Sequence, residues 1–496
     1  MRDTERINPV LGSVAIDNIK FDLSSRDEMP QLLAGIQHLY ITPETHEAIS
    51  EILENGIKKS DKGRKGMELW NILILSMVHA NLNIDYDKLK DYADNHILLR
   101  KMLGHSLWLD EQDKIVYPLQ TIRDNIKLIT PEMSEKISKI VIEAGHKFLG
   151  IDNESLKVKC DSAVCKVDAH FPTDINLLWD GMRKSITLAS QLCDSFDRTD
   201  LRQYVHNLNI LHNKFYATCQ KRCKADKDGK FDDKTINIYD DYLSKCELEI
   251  DKVIDVLDSI CNTVCLDELS KKHQLIYQIM GFINDAEYHI GLIVRRIFGG
   301  EKIPHSDKIF SLFQRHTEWI SKGKAGVKQE LGIRVAIVSD QKGFILKHRI
   351  MQNETDDKIA VQIIKDTKER FANISSCSFD KGFWSPNNRV ELEKELDVVA
   401  IKKKGYSSKE NYAYEHSPEF IEAKTGHSAV ESNFNALQNH GLDKCPYNGI
   451  DGYKRYIGSV ILGRNTQILG KLLIDKEKEK QLRSEKIKAG LLRKAS

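Results

Sequence analysis

No apolar run in the 496-residue sequence is long enough to cross a bilayer. The most apolar one, Leu69 to Ala80, falls short of the about 20 residues that a spanning helix needs and reads as a buried helix. The opening residues Met1-Arg-Asp-Thr-Glu-Arg6 are charged and lack the apolar core of a secretory leader. Without a leader, the ten cysteines fit a reducing cytoplasm better than a disulfide framework. A surplus of charge is missing too: the formal net charge is +1, which excludes a uniformly basic DNA-coating protein and leaves any nucleic-acid contact to local clusters. Three such clusters stand out. Lys58, Lys59, Lys62, Arg64 and Lys65 surround a glycine-containing loop, Lys402, Lys403 and Lys404 follow a predicted strand, and the segment beyond Lys471 is rich in Lys and Arg. Each of them also reads as an ordinary solvated face.

The chain is too long for one compact core, and its periodicity divides it. Residues 1–148 carry helical spacing, as in Trp70, Leu73, Ile74 and Met77, and are expected to form an all-helical N-terminal domain. From about residue 155 the period becomes that of a strand, with Val158 and Cys160 alternating with Lys157, Lys159 and Asp161. Residues 149–184 therefore open a catalytic core, which 185–326 interrupt with a helical insertion. Strand pattern returns over 327–473: a hairpin at 333–350, a strand ending at Asp380, a strand at 398–401, a helix bearing Glu431 and another from Gly452 to about Leu473. Residues 474–496 read as a basic tail. The whole is expected to be an α+β protein, an RNase H-like mixed β-sheet flanked by helices with a large helical insertion.

The stretch His427-Ser-Ala-Val-Glu431-Ser-Asn-Phe-Asn435 is the most informative. His427, Glu431, Asn435 and Gln438 fall on one stripe of a helix, and Val430, Phe434 and Leu437 form the apolar stripe beside it. Asp161 and Asp380 read as acids carried by strands. Two strand acids and one helix acid are the set with which an RNase H-like core holds two divalent metals for phosphoryl transfer, and hard oxygen ligands point to Mg2+, with Mn2+ as a substitute. Asp168 and Asp174 compete for the place of the first acid, but Asp161 lies within the alternating strand, while Asp174 follows Pro172-Thr173 like a helix start. Cys219/Cys223 and Cys261/Cys265 are spaced for a zinc site or, more commonly, for helix packing.

Four segments in order carry a family likeness: Lys157 to Leu178 with Asp161 and His170-Phe-Pro-Thr-Asp174; Trp319-Ile-Ser-Lys-Gly-Lys324; Phe379-Asp-Lys-Gly-Phe-Trp384; and His427 through Asn465. In these the chain resembles the DDE transposases of bacterial insertion sequences, in the group with a long insertion between the first and second acids. The resemblance implies that Asp161, Asp380 and Glu431 are the catalytic, metal-holding triad. It also implies a partner, double-stranded DNA at transposon ends and target, a helical N-terminal domain that grips the ends, and a homodimer or higher assembly on DNA. The DNA contacts expected from position and residue type are Arg64, Lys65, Lys322, Lys324, Trp384, Lys402, Lys403, Lys404 and His427. The family often has Lys or Arg one or two turns after the glutamate, and here Leu437 and Gln438 stand there instead. An RNase H-like nuclease that cuts without joining, and an inactive transposase kept as a DNA-binding protein, are the alternative readings.

Overall fold

The computed structural model describes residues 12–57, 66–106, 115–221, 231–321, 329–405 and 408–495. Seven helices come first: α1 (Glu28–Ile41), α2 (Pro43–Gly56), α3 (Leu69–Asn81), α4 (Tyr86–Asn95), α5 (Ile97–Met102), α6 (Leu119–Ile126) and α7 (Pro131–Leu149). Strand β1 (Leu156–Val167) follows, then α8 (Asp174–Asp194), α9 (Tyr204–Gln220), α10 (Asp233–Thr263) and α11 (Leu266–Ile293). The remainder runs β2 (Glu318–Ser321), β3 (Gln329–Ser339), β4 (Ile345–Met351), α12 (Asp356–Lys368), β5 (Ile374–Phe379), α13 (Pro386–Glu395), β6 (Val398–Ala400), α14 (Lys409–Glu415), α15 (Pro418–Leu437), β7 (Lys444–Cys445) and α16 (Gly449–Ala495). Two compact units result, one of residues 1–168 with 320–496 and one of 169–319.

The first unit holds an open, mixed, seven-stranded sheet. β1 is its centre: β3 pairs with it antiparallel, and β5 lies parallel on its other side. β4 continues antiparallel from β3, and β6 continues parallel from β5. β2 also pairs with β3, and the short β7 pairs with the far end of β1. The parallel strands need crossover helices, which α12 and α13 supply, whereas β3 and β4 are joined by a tight turn. That turn is held by Asp340, whose Oδ1 accepts the backbone N–H groups of Lys342 at 2.8 Å and Phe344 at 2.9 Å. Its Oδ2 meets the buried His146 of α7 at 2.7 Å.

The helices before β1 do not stand apart from the sheet. Leu33 and Ile36 of α1, Ile72 and Leu75 of α3 and Ile137 and Val141 of α7 share one apolar core with Val158 and Cys160 of β1, Val338 of β3 and Ile363 of α12. Leu462 and Leu469 of α16 belong to that core as well. α1 and α16 approach almost to backbone contact, since a Cβ at Gly470 would overlap the Gln31 carbonyl and one at Gly35 the Thr466 carbonyl. Asn465 of α16, fully buried, closes the edge of the sheet. Its amide accepts from Ile345 N–H at 2.8 Å and donates to Ile345 C=O at 2.9 Å and Ser138 Oγ at 2.8 Å. The segment anticipated as a basic tail from residue 474 is helical, because α16 continues unbroken to Ala495.

The second unit is a helical bundle. α8 and α11 run close together, with Gly181 allowing the approach to the Phe282 carbonyl, and Met182, Ile186, Tyr242, Ile250, Ile283 and Ile293 fill its core. Its limits, Ala169 and Trp319, differ from the 185–326 read from periodicity, because α8 packs inside the bundle from its first turns. No helix among the described residues is long and apolar enough to cross a membrane.

Candidate active site

Register decides where the two strand acids stand. β1 and β5 are parallel with Cys160 opposite Phe379, so the next residue on each strand, Asp161 and Asp380, comes level at the neighbouring ends. Adjacent strands lie about 4.8 Å apart, and the two acids are thus neighbours by backbone geometry alone. Asp380 leaves the strand as the N-cap of a short helical turn, Lys381–Phe383. Glu431 arrives from α15, which begins at the Ser417 cap, whose side chain accepts the Phe420 N–H, and at Pro418 in its first turn. The helix lies against β1, β5 and β6 through the buried Val430, Phe434 and Leu437, which leaves Glu431 exposed on the adjoining face.

The electrostatics tie these acids together. Asp161 is half-buried, and burial, followed by the negative charges of Asp380, Asp356 and Glu431, raises its carboxyl to about 6 despite a 2.7 Å hydrogen bond from the Ser162 N–H. Asp356 is an acid that sequence reasoning passed over. It stands in the first turn of α12, accepts from Ser162 Oγ at 2.6 Å, and its Oδ2 would lie 2.8 Å from a Cβ at Gly382. Gly382 therefore leaves room for a carboxylate that faces the turn after Asp380.

Cations surround this group from the α15 side. Lys424, His427 and Glu431 fall at i, i+3 and i+7 on one face of the helix. The Lys424 ammonium donates to the Phe379 carbonyl at 3.0 Å, and burial lowers its pKa against the opposing pull of Asp380 and Asp161. His427 Nδ1 lies 2.9 Å from Ser378 Oγ, and burial, aided by the Lys424 charge, holds its pKa down at about 4. The imidazole is neutral at pH 7 and does not supply the positive charge that the resemblance would place there. Lys159 extends from β1 beside Gly426 of α15. Lys404 donates to the Gly382 carbonyl at 2.9 Å, the Lys403 N–H donates to Glu415 at 3.1 Å, and the exposed Lys402 faces Lys424 closely enough to repel it.

The other sequence candidates fall elsewhere. Asp168, beyond the end of β1, is exposed and paired with Lys444 at 2.7 Å. Asp174 belongs to the second unit, where Arg296 holds it at 2.7 Å. Trp384 is partly buried against the main core. Arg64, Lys65, Lys322, Lys324 and Cys223 lie outside the described residues.

Carboxylates are the donors a hard divalent cation prefers, and this cluster, with its mutual repulsion, suits one by charge. As placed, the acids share an electrostatic field, yet among the described residues no three Asp, Glu, His or Cys side chains come close enough together to hold a metal ion. No family model matches the chain, and no curated protein or solved structure does.

Proposed function

We infer that the chain is a DDE-type transposase, which cuts DNA at the ends of its own element and joins the freed 3′-hydroxyl to target DNA. The observation that carries this reading is the register of β1 and β5, which sets Asp161 level with Asp380 where Glu431 of α15 adds to the same negative field. The strand order β4-β3-β1-β5-β6, antiparallel through β1 and parallel beyond it, agrees with an RNase H-like sheet. Asp161, Asp380 and Glu431 would hold Mg2+ or Mn2+, two ions in all. When bound, such ions activate the attacking oxygen and neutralise charge on the leaving oxygen and at phosphorus.

The chain's own groups have separate tasks. Lys402 and Lys404, exposed on the loop beside the acids, suit contacts to backbone phosphates, which position DNA without reading its sequence. The neutral His427 fixes Ser378, one residue from the end of β5, and so holds the strand that presents Asp380. A homodimer or higher assembly follows from the need to bring two ends together. A nuclease that cuts without joining is the second reading, favoured by Asp356, a fourth carboxylate beyond the three that transposition requires. Incubating the protein and Mg2+ with duplexes that carry the element's ends, already cut to expose the 3′-hydroxyl, and a target plasmid separates the two. Joined product supports the transposase, and cleavage of uncut ends with no joining from precut ones supports the nuclease.

A further inference from the structure

Four carboxylates act on one another in the acid site, and only one cation touches the backbone that carries them. Asp161 feels Asp380, Asp356 and Glu431. Lys424 lies half-buried on the same helix face as Glu431, and its ammonium is fixed 3.0 Å from the carbonyl of Phe379, the residue immediately before Asp380. Both Asp380 and Asp161 draw on its charge. The other basic groups nearby cannot take this part. His427 is neutral, Lys404 turns to the Gly382 carbonyl, Lys402 is solvent-exposed, and the acid whose field reaches Lys159 is Asp340.

Lys424 makes no ion pair with any of these acids. It is held instead by a neutral acceptor, so that its charge acts through space on the cluster as a whole. A half-buried ammonium loses hydration, and the loss is offset here by the surrounding carboxylates rather than by one partner. The clasp has a second point one turn along, between His427 and Ser378. α15 thus grips the last two residues of β5 with a charged and a neutral group, and the charged one sits next to the acid.

The geometry points to Lys424 as a resident counter-ion of the acid site, a positioning residue that keeps the strand and helix carboxylates together in the metal-free protein and competes by charge with divalent cations for them. The inference rests on the reading of Asp161, Asp380 and Glu431 as metal ligands. It has a sign opposite to that of an ordinary supporting residue: removing the ammonium should strengthen metal binding, because a fixed positive charge near the site opposes the entry of another.

Mn2+ binding to the full chain without DNA, followed by electron paramagnetic resonance of the free ion, tests this. Lys424→Met should bind Mn2+ several-fold more tightly than the wild type and should gain more thermal stability from the ion. Lys424→Arg, which keeps the charge, should match the wild type in both. Asp161→Asn should lose the binding in either background. If Asp161→Asn binds Mn2+ as the wild type does, the metal-site reading itself fails. If Asp161→Asn loses binding while Lys424→Met binds Mn2+ equally or more weakly, the site stands and the counter-ion role is overturned. Were Lys424→Met not to fold, Lys424→Gln, which keeps a polar group toward the Phe379 carbonyl, carries the same expectation and the same contradiction.

Discussion

Asp161 combines a site on the central strand, partial burial and three acidic neighbours, and its carboxyl rises from 3.8 to about 6. A carboxyl raised in this way holds its proton more tightly in the folded chain. It favours folding fully below about pH 4, and that contribution is lost as pH rises through about 6. In chelator, wild-type stability should therefore fall between pH 4 and pH 7 relative to Asp161→Asn by roughly 1–3 kcal/mol. Urea unfolding of both proteins at the two pH values measures it. Parallel stabilities across that range would show that the acids do not repel one another. Asp161 was legible in the sequence because alternation with Val158 and Cys160 set it on a strand. Asp356 was not: an acid in the first turn of a helix is favoured by the helix itself, so its residue type announces nothing. Only its bond to Ser162, 194 residues earlier, places it at the site. Lys424 was closer to view, since it lies three residues before His427 on the stripe already drawn through Glu431.

At the scale of elements, the hairpin and the helix bearing Glu431 were readable, because alternation and the apolar stripe Val430, Phe434 and Leu437 are local signals. The end of α15 was less so. His440 bonds to the Asn81 carbonyl at 2.6 Å, and Gly441 adopts φ +101 beneath the Tyr456 hydroxyl, so distant residues stop the helix there. α16 outran its expected end because solvated Lys–Glu alternation after residue 474 satisfies a helix as readily as a tail. Its contact with α1 depends on glycine. Gly470→Ala should destabilise the protein by about 1–3 kcal/mol through overpacking, read from a lowered urea midpoint, and an unchanged midpoint would mean that the helices part at little cost. The loop after β6 bears a different expectation. Replacing Lys402, Lys403 and Lys404 by Ala should weaken binding to all DNA sequences alike and reduce the salt dependence, by up to about one unit of slope for each phosphate that the loop no longer neutralises. A salt slope equal to that of the wild type would leave the cluster a solvated face.

For the molecule as a whole, periodicity separated helical from mixed segments but could not show what packs on what. The helices before β1 read as a domain of their own, yet α1, α3 and α7 bury the face of the sheet that carries Val158, Cys160 and Val338. Such packing joins residues hundreds of positions apart, and no local pattern encodes it. The insertion was visible as a run of helices, while its boundary moved to Ala169 because α8 is claimed by the bundle. A long helical segment inserted after β1 leaves the pairing of β1 with β3 and β5 intact, and with it the level placement of Asp161 and Asp380.

The central claim is that these two strand acids and Glu431 form one metal-dependent site for cutting and joining DNA. Asp161→Asn, Asp380→Asn and Glu431→Gln keep side-chain size and remove one charge each, so folding and DNA binding by the lysine loop should persist. Loss of a charge that holds a metal is worth several kcal/mol of transition-state energy, and rates should fall by orders of magnitude. The decisive measurement is Mg2+-dependent cleavage and joining of cognate ends by the three variants and by Asp168→Asn, with DNA binding followed in parallel. The account predicts that each of the three binds DNA nearly as the wild type does yet neither cuts nor joins, while Asp168→Asn remains active. Normal cleavage by all four would contradict it, and an inactive Asp168→Asn beside an active Asp161→Asn would move the first acid to the other end of β1.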